Sequence, residues 1–355
     1  MSNTFGQNIK ITVFGQSHSP CIGVVIDNFP CGLKVDFDYL REFMSRRAPG
    51  QNLTTPRKEG DEVEFLSGLN ENGETCGAPI CAIIKNTNVK SKDYDKLADL
   101  PRPSHSDLTS FYKFGDSRDI RGGGQFSGRL TAPICIAGAL CNMWLKEKGV
   151  NIFAHLSSVG NVEDKRYDLV SNEIERNIST FPTLDEIVAD KMKEEIEKAR
   201  VDGDSVGSTV ECKITGVPLG LGEPMFEGVE NRLAQMMFGI PAVKGFEVGL
   251  GFKSSTLKGS ENNDPMCVKE GKICTTTNNA GGINGGITNG MPIVFRVAIK
   301  PTPSILKPQT SVNLRTLEQE ELLICGRHDP CIGVRAVPVV EGAAAIVIAD
   351  MIMDR

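Results

Sequence analysis

Polar and apolar positions alternate over residues 9–14, and a short apolar run follows over 22–26; both patterns predict β-strands. From Phe37 onward the apolar positions fall at helical spacing and stop at the pair Arg46-Arg47, predicting a helix over 37–47. Two further strands are predicted at 63–66 and 79–84, flanking a turn-rich stretch at 70–77. Residues 88–119 are mostly polar with two prolines and are expected to be loop. Residues 127–148 are apolar on nearly every side, with charges only near the ends, which predicts a buried helix. An amphipathic helix is predicted at 184–199, stopped by the Asp202-Gly203 turn. Strands are predicted at 209–214, 246–249 and 293–299, helices at 227–238 and 341–353, and a glycine-rich loop at 278–290. His155 falls within an apparent strand without polar company. No proline- or serine-rich linker and no charge run divides the chain, so the expectation is one α+β domain over 1–355.

Composition changes this picture little but removes several functions. A net charge of −6 gives no basic surplus for nucleic acid, although a basic site can exist inside an acidic protein. Eleven cysteines without a C-x-x-C pair, and only four histidines, lack the close ligand pairs of a zinc site. Several cysteines lie in apolar runs, as buried reduced thiols of a cytoplasmic protein do. The first residues show no basic stretch followed by an apolar core, so no signal peptide is expected. The longest apolar stretch, 132–145, is too short for a bilayer and contains Asn142, so no membrane association is expected.

Unusual chemistry gathers in four segments. They are Phe14-Gly15-Gln16-Ser17-His18, Arg102-Pro103-Ser104-His105-Ser106-Asp107, the run from Asp119 through Gly122-Gly123-Gly124-Gln125-Phe126-Ser127-Gly128-Arg129, and Gly326-Arg327-His328-Asp329-Pro330-Cys331. A single histidine in a turn more often caps than catalyses. Here His18 and His105 each follow a serine near Gly or Arg, and imidazole exchanges protons near neutral pH. The triple glycine precedes the predicted buried helix, where free backbone N–H groups could meet an anion; the plainer reading is a flexible turn with Ser127 as cap. Its spacing is not that of a dinucleotide fingerprint. Lys300-Pro301-Thr302-Pro303-Ser304 leaves a strand with a cation and two hydroxyls, which suits phosphate or a polar strand exit. Arginines crowd these loops: Arg46, Arg47, Arg57, Arg102, Arg121, Arg129, Arg327 and Arg335. Guanidinium suits planar recognition of carboxylate or phosphate, so the residues point to a polyanionic ligand. One internal echo stands out. His18-Ser19-Pro20-Cys21-Ile22-Gly23-Val24 matches residues 328–334 at six of seven positions, with no wider repeat around either copy.

Taken together in order, these motifs resemble those of chorismate synthases. The chain also carries Gly239-Ile240-Pro241-Ala242-Val243-Lys244-Gly245 and Asn279-Ala280-Gly281-Gly282-Ile283-Asn284-Gly285-Gly286-Ile287 at the places the family has related segments, so the resemblance runs from about Phe5 to Met353. It implies an FMN-dependent anti-1,4-elimination of phosphate from 5-enolpyruvylshikimate 3-phosphate to chorismate, with no net redox change. It implies a fold of long helices sandwiched between antiparallel sheets, and a homotetramer. By the same resemblance His18 protonates the departing phosphate, and His105 serves the reduced flavin. Asp329, with Ser17 and Ser127, relays the ring proton. Arg46, Arg47, Arg57, Arg102, Arg129 and Arg327 hold the substrate. Gln125, Phe126, Ser127, Pro241, Ala242, Gly285, Lys300, Pro301, Thr302, Pro303, Ser304 and Arg327 surround FMN. The chain departs from the family pattern with Gln16 for Glu, Ser19 for Gly, Ala48 for Arg, Gln125-Phe126 for Arg-Ser, Gly128 for Ala and Leu130 for Glu. Some members reduce their own flavin with NADPH and others depend on an external flavin reductase; the sequence leaves both open. Two rivals are a phosphometabolite sensor on the same scaffold, which would not need His18, His105 and Asp329, and an ordinary flavin reductase, which would be expected to carry a dinucleotide fingerprint.

Overall fold

Two long helices with almost no charged positions can only be stable inside. In the computed structural model, which describes residues 3–48, 60–87, 98–173, 181–324 and 328–353, they are its centre. The strands of a first antiparallel sheet are β1 (Thr4–Phe5), β2 (Lys10–Gly15), β3 (Cys21–Asp27), β4 (Glu64–Ser67) and β5 (Ile80–Lys85), in the order β1-β2-β3-β5-β4. Helix α1 (Phe37–Arg47) lies between β3 and β4 in the chain, and α2 (Asp107–Phe114) precedes the first central helix, α3 (Thr131–Glu147). Next come β6 (Asn151–Val159), β7 (Val162–Glu163), α4 (Glu186–Val201), β8 (Ser208–Thr215), α5 (Val229–Phe238) and β9 (Val243–Val248). The short α6 (Gly259–Asn262) leads to the hairpins β10 (Met266–Lys269) with β11 (Lys272–Thr275) and β12 (Ile283–Asn284) with β13 (Ile287–Thr288). Strand β14 (Ile293–Ile299) completes a second antiparallel sheet in the order β7-β6-β8-β14-β9. The hairpin β15 (Gln309–Val312) with β16 (Gln319–Leu322) precedes the second central helix, α7 (Gly333–Ile352).

Helix α3 packs under the first sheet and α7 under the second, and the two helices pack on each other. The result is a sheet–helix–helix–sheet sandwich with one continuous apolar core, as the family resemblance implies. The helices meet at two glycines. A Cβ placed on Gly138 would lie 2.3 Å from the Cα of Gly342, so any side chain there would force the helices apart. The one strongly polar side chain inside α3, Asn142, donates to the Tyr39 hydroxyl of α1 at 2.9 Å, which removes the cost of burying its amide. Helix α1 starts at Asp36, whose carboxylate accepts from the N–H of Asp38 and Tyr39. Its face of Leu40, Phe43 and Met44 is buried, and its last turn carries Arg46 and Arg47 inward.

Several expectations shift. The helix predicted over 127–148 begins at Thr131, because residues 128–130 form a separate tighter turn capped by Ser127. The helix predicted over 341–353 begins at Gly333. Its first two turns are rich in valine, a strand former by propensity, and Pro338 sits within them. Within the stretch expected to be loop, 107–114 forms α2; residues 88–97 lie outside the described residues. His155 was expected to lack polar company, yet its two ring nitrogens lie 3.2 Å from Asp164 and 3.1 Å from Glu211. The carboxylates come from the chain after β7 and from β8, contacts that no local pattern reveals. Among the described residues no helix is long and apolar enough to cross a membrane.

Candidate functional site

The triple glycine folds as a left-handed turn rather than as the first turn of α3. Gly122, Gly123 and Gly124 have φ values of 60°, 84° and 54°, a region that side chains disfavour. At Gly122 and Gly124 the turn holds no room for one. A Cβ on Gly122 would stand 2.6 Å from Ser17 Oγ and 2.9 Å from His18 Nε2. A Cβ on Gly123 would stand 3.5 Å from His105 Nε2. Two histidines from distant parts of the chain therefore reach one glycine turn. Ser17 is tied to it by its N–H, which donates to Gly124 O at 3.1 Å. The anion nest expected where the glycines run into the long helix is thus corrected: the 128–130 turn separates the glycines from α3.

Beside the glycine turn opens a cavity of about 680 Å³, in the range of small-molecule sites. Its wall is rich in arginines, and each described one is held by a carboxylate. Asp61, buried, receives Arg47 Nη1 at 2.5 Å and also pairs with Arg129. Burial alone would raise the Asp61 carboxyl; the guanidiniums of Arg47 and Arg129 outweigh it and hold the pKa below its ordinary value. Arg47 also donates to Thr131 Oγ1 at 3.2 Å and Gly128 O at 3.2 Å, which fixes its plane. Arg335 Nη1 donates to Asp329 Oδ2 at 2.6 Å, and its Nε to Arg47 O at 2.9 Å. Lys300 and Lys244 add two ammonium groups, and burial followed by Lys244 pushes the Lys300 pKa down. Two wall residues, Ser104 and Ala242, are non-glycine residues at positive φ, 59° and 74°, which is strain of the kind found at functional sites.

His105 approaches from the turn before α2. Its Nδ1 lies 2.6 Å from Asp107 Oδ1, and Arg102 donates to the same carboxylate from its backbone N at 3.1 Å, Nε at 2.7 Å and Nη2 at 2.9 Å. His18 lies within electrostatic reach of Asp119, whose carboxyl is lowered chiefly by its hydrogen bonds with Arg121 and slightly by His18.

Of the residues singled out from the sequence, Arg47, Arg102, His105, Gln125, Phe126, Ser127, Arg129, Pro241, Ala242, Lys300, Thr302, Pro303, Ser304 and Asp329 all line this cavity. Ser17 and His18 stand against Gly122, itself in the wall. Arg46 is directed elsewhere, into a two-pronged pair with Glu341 at 2.6 and 3.2 Å. Pro301 is not in the wall, and Gly285 sits in the β12–β13 turn. Arg57 and Arg327 lie outside the described residues. Sequence reasoning assigned no role of their own to Asp61, Asp107, Lys244 or His328, and counted Arg335 only among the loop arginines. His328 and Arg335 line the cavity, and Asp107 was visible only as a member of a motif. Asp61 lies in an unpatterned acidic stretch that carried no signal.

The family model described as chorismate synthase matches residues 9–353. Chorismate synthases of Christiangramia forsetii and Methanosarcina barkeri are 47% and 46% identical to the chain, each over 98% of it and over 96% and 95% of their own lengths. That of Lancefieldella parvula is 42% identical over 99% of the chain and 96% of its own. A crystal structure of chorismate synthase superposes with a TM-score of 0.77 at 27% identity, covering 99% of this chain and 93% of that one.

Proposed function

This chain belongs to the chorismate synthase family, the carbon–oxygen lyases of the shikimate pathway, and from that premise we propose that 5-enolpyruvylshikimate 3-phosphate and reduced FMN meet in the cavity beside the glycine turn. The observation that carries this reading is the convergence of His105, Ser127, Arg129, Asp329 and Arg335 on one wall, with His18 against its glycine turn. A polyanionic substrate matches the guanidiniums of Arg47 and Arg129. Asp61 holds both in place and offsets one of their two charges, so a bound anion need not order them.

The residues present also fit the cofactor. Thr302 Oγ1 is a buried hydroxyl oxygen with no hydrogen-bond partner among the described residues, and its residue lines the cavity beside Ser304 and Lys300, a donor set suited to a phosphate or ring carbonyl. Phe126 supplies an aromatic surface in the same wall, and Gly128 leaves open space where a Cβ would be. When bound, reduced FMN supplies electron density to the substrate and recovers it. His18 donates a proton to the departing phosphate from the glycine-turn side. His105 presents Nε2 for proton exchange with the cofactor. Asp329, oriented by Arg335, takes up the ring proton, with Ser17 and Ser127 as relays.

We further propose a homotetramer in the cytoplasm. Phe226, Phe252 and Met266, 80%, 82% and 82% exposed and outside the cavity wall, support contact with further copies of the chain. The reductant is NADPH or an external flavin reductase; anaerobic incubation of the chain with NADPH and oxidised FMN, watching the flavin bleach, separates the two. The catalytic assignment is tested by Asp329→Asn with substrate deuterated at the leaving ring position. Slower turnover with an enlarged isotope effect and near-normal binding supports it. An unchanged rate and isotope effect would remove Asp329 from the proton path.

A further inference from the structure

His105 Nδ1 has two neighbours that make incompatible demands. Asp107 Oδ1 at 2.6 Å can only accept a hydrogen bond, because its carboxyl is held well below the usual range: burial would raise it, but the bonds from Arg102 and His105 prevail. Arg102 Nη2 at 3.0 Å can only donate. One nitrogen cannot both donate to the first and accept from the second. The carboxylate contact is the shorter and is charge-assisted, and Arg102 Nη2 already donates to Asp107 Oδ1 at 2.9 Å. The imidazole therefore carries its proton on Nδ1.

We propose that Asp107, locked by Arg102, fixes His105 in the Nδ1–H form and turns Nε2 toward the glycine turn, making Asp107 and Arg102 positioning residues for the proton exchanged at His105. This rests on the reading of His105 given above. Three features of the geometry converge on it. Asp107 is gripped by Arg102 through three hydrogen bonds, so its oxygens cannot swing away. Arg102 is itself braced, its Nη1 donating to Ser304 Oγ at 3.1 Å, and it is only 6% exposed. The far edge of the ring comes within 3.5 Å of the Cβ position of Gly123, so Nε2 is the nitrogen that faces the glycine turn. Arg102 also cancels the charge of Asp107. On this account Arg102, expected from the sequence to bind substrate, also acts through His105.

The test is the tautomer of His105, read by nitrogen-15 NMR on histidine-labelled protein; four histidines in the chain keep the spectrum assignable. The wild type should show neutral His105 protonated on Nδ1. Asp107→Asn should shift the population toward Nε2–H and lower kcat by on the order of 10²-fold or more with KM little changed. Asp107→Glu should recover part of both. An Nε2–H form in the wild type overturns the proposal, as does an Asp107→Asn variant with unaltered tautomer and kcat. If Asp107→Asn does not fold, the wild-type tautomer decides alone. Because this signature needs no turnover, absence of lyase activity would count against the function proposed above and leave the tautomer measurement standing.

Discussion

At the scale of single residues, each described arginine of the site is held by a carboxylate. Arg129 illustrates the cost and use of this. Its guanidinium pairs with Asp61 and donates through Nε to Asn86 Oδ1 at 3.2 Å, so its direction is set before any ligand arrives. A charge-assisted hydrogen bond to a bound anion is worth roughly 1.5–3 kcal/mol. Arg129→Ala should therefore weaken binding of the enolpyruvyl ester about tenfold to a hundredfold, whereas Lys148→Ala, on the far end of α3, should leave it unchanged. Equal titration curves for the two variants would place the anion elsewhere. Motifs made many of these residues legible: His18, His105, Ser127, Arg129 and Asp329 each stand in a turn whose Gly, Pro or Ser content marks it. Their counterions were not legible. Asp61 reaches Arg47 and Arg129 across the fold, and no spacing in the chain encodes a partner of that kind.

At the scale of elements, periodicity served the strands best. The strand expected over 293–299 is Ile293–Ile299, and the helix expected over 37–47 is Phe37–Arg47. Where local pattern and tertiary setting disagree, the setting wins. The heptapeptide at 18–24 and its near-copy at 328–334 show this most clearly, since the first runs into strand β3 and the second into helix α7. Gly23 and Val24 are strand where Gly333 and Val334 are helix, which argues against a structural duplication. His155 makes the same point in energetic form. It lies in β6 opposite Glu211 of β8, and Arg296 and Glu247 continue the row, so charges alternate across four strands of the second sheet. Burial would lower the His155 pKa, but the bonds to Asp164 and Glu211 outweigh it and raise it above 6.5. A raised pKa means that the folded state binds the proton more tightly than the unfolded chain does. Its stabilisation is complete below about pH 6.5 and fades as the pH climbs through the raised value. The melting temperature of wild type should thus fall relative to His155→Gln as the pH rises above about 6.5. A gap between the two proteins that does not narrow would show that His155 is neutral in the fold.

At the scale of the whole molecule, the sandwich explains where the site can be. Helices α3 and α7 are committed to the core along most of their length, meeting at Gly138 and Gly342, and offer function only at their N-terminal ends. Both ends reach the cavity: Thr131 begins α3, while Arg335, Ala336 and Val339 lie in the first turns of α7. Loops from the first sheet bring Ser17 and His18, and the exit from the second sheet brings Lys300 through Ser304. Buried helices and short strands could be read from the hydrophobic pattern, but their pairing and stacking could not, because an all-apolar helix does not say which sheet will cover it. The central claim is that this assembled cavity performs a flavin-dependent elimination. The most direct measurement is a strictly anaerobic reaction of the chain with 5-enolpyruvylshikimate 3-phosphate and FMN, recording phosphate and chorismate together. Equal amounts of both products with reduced FMN, and neither with oxidised FMN, are predicted. Phosphate without chorismate, or turnover indifferent to the flavin's redox state, would contradict the account.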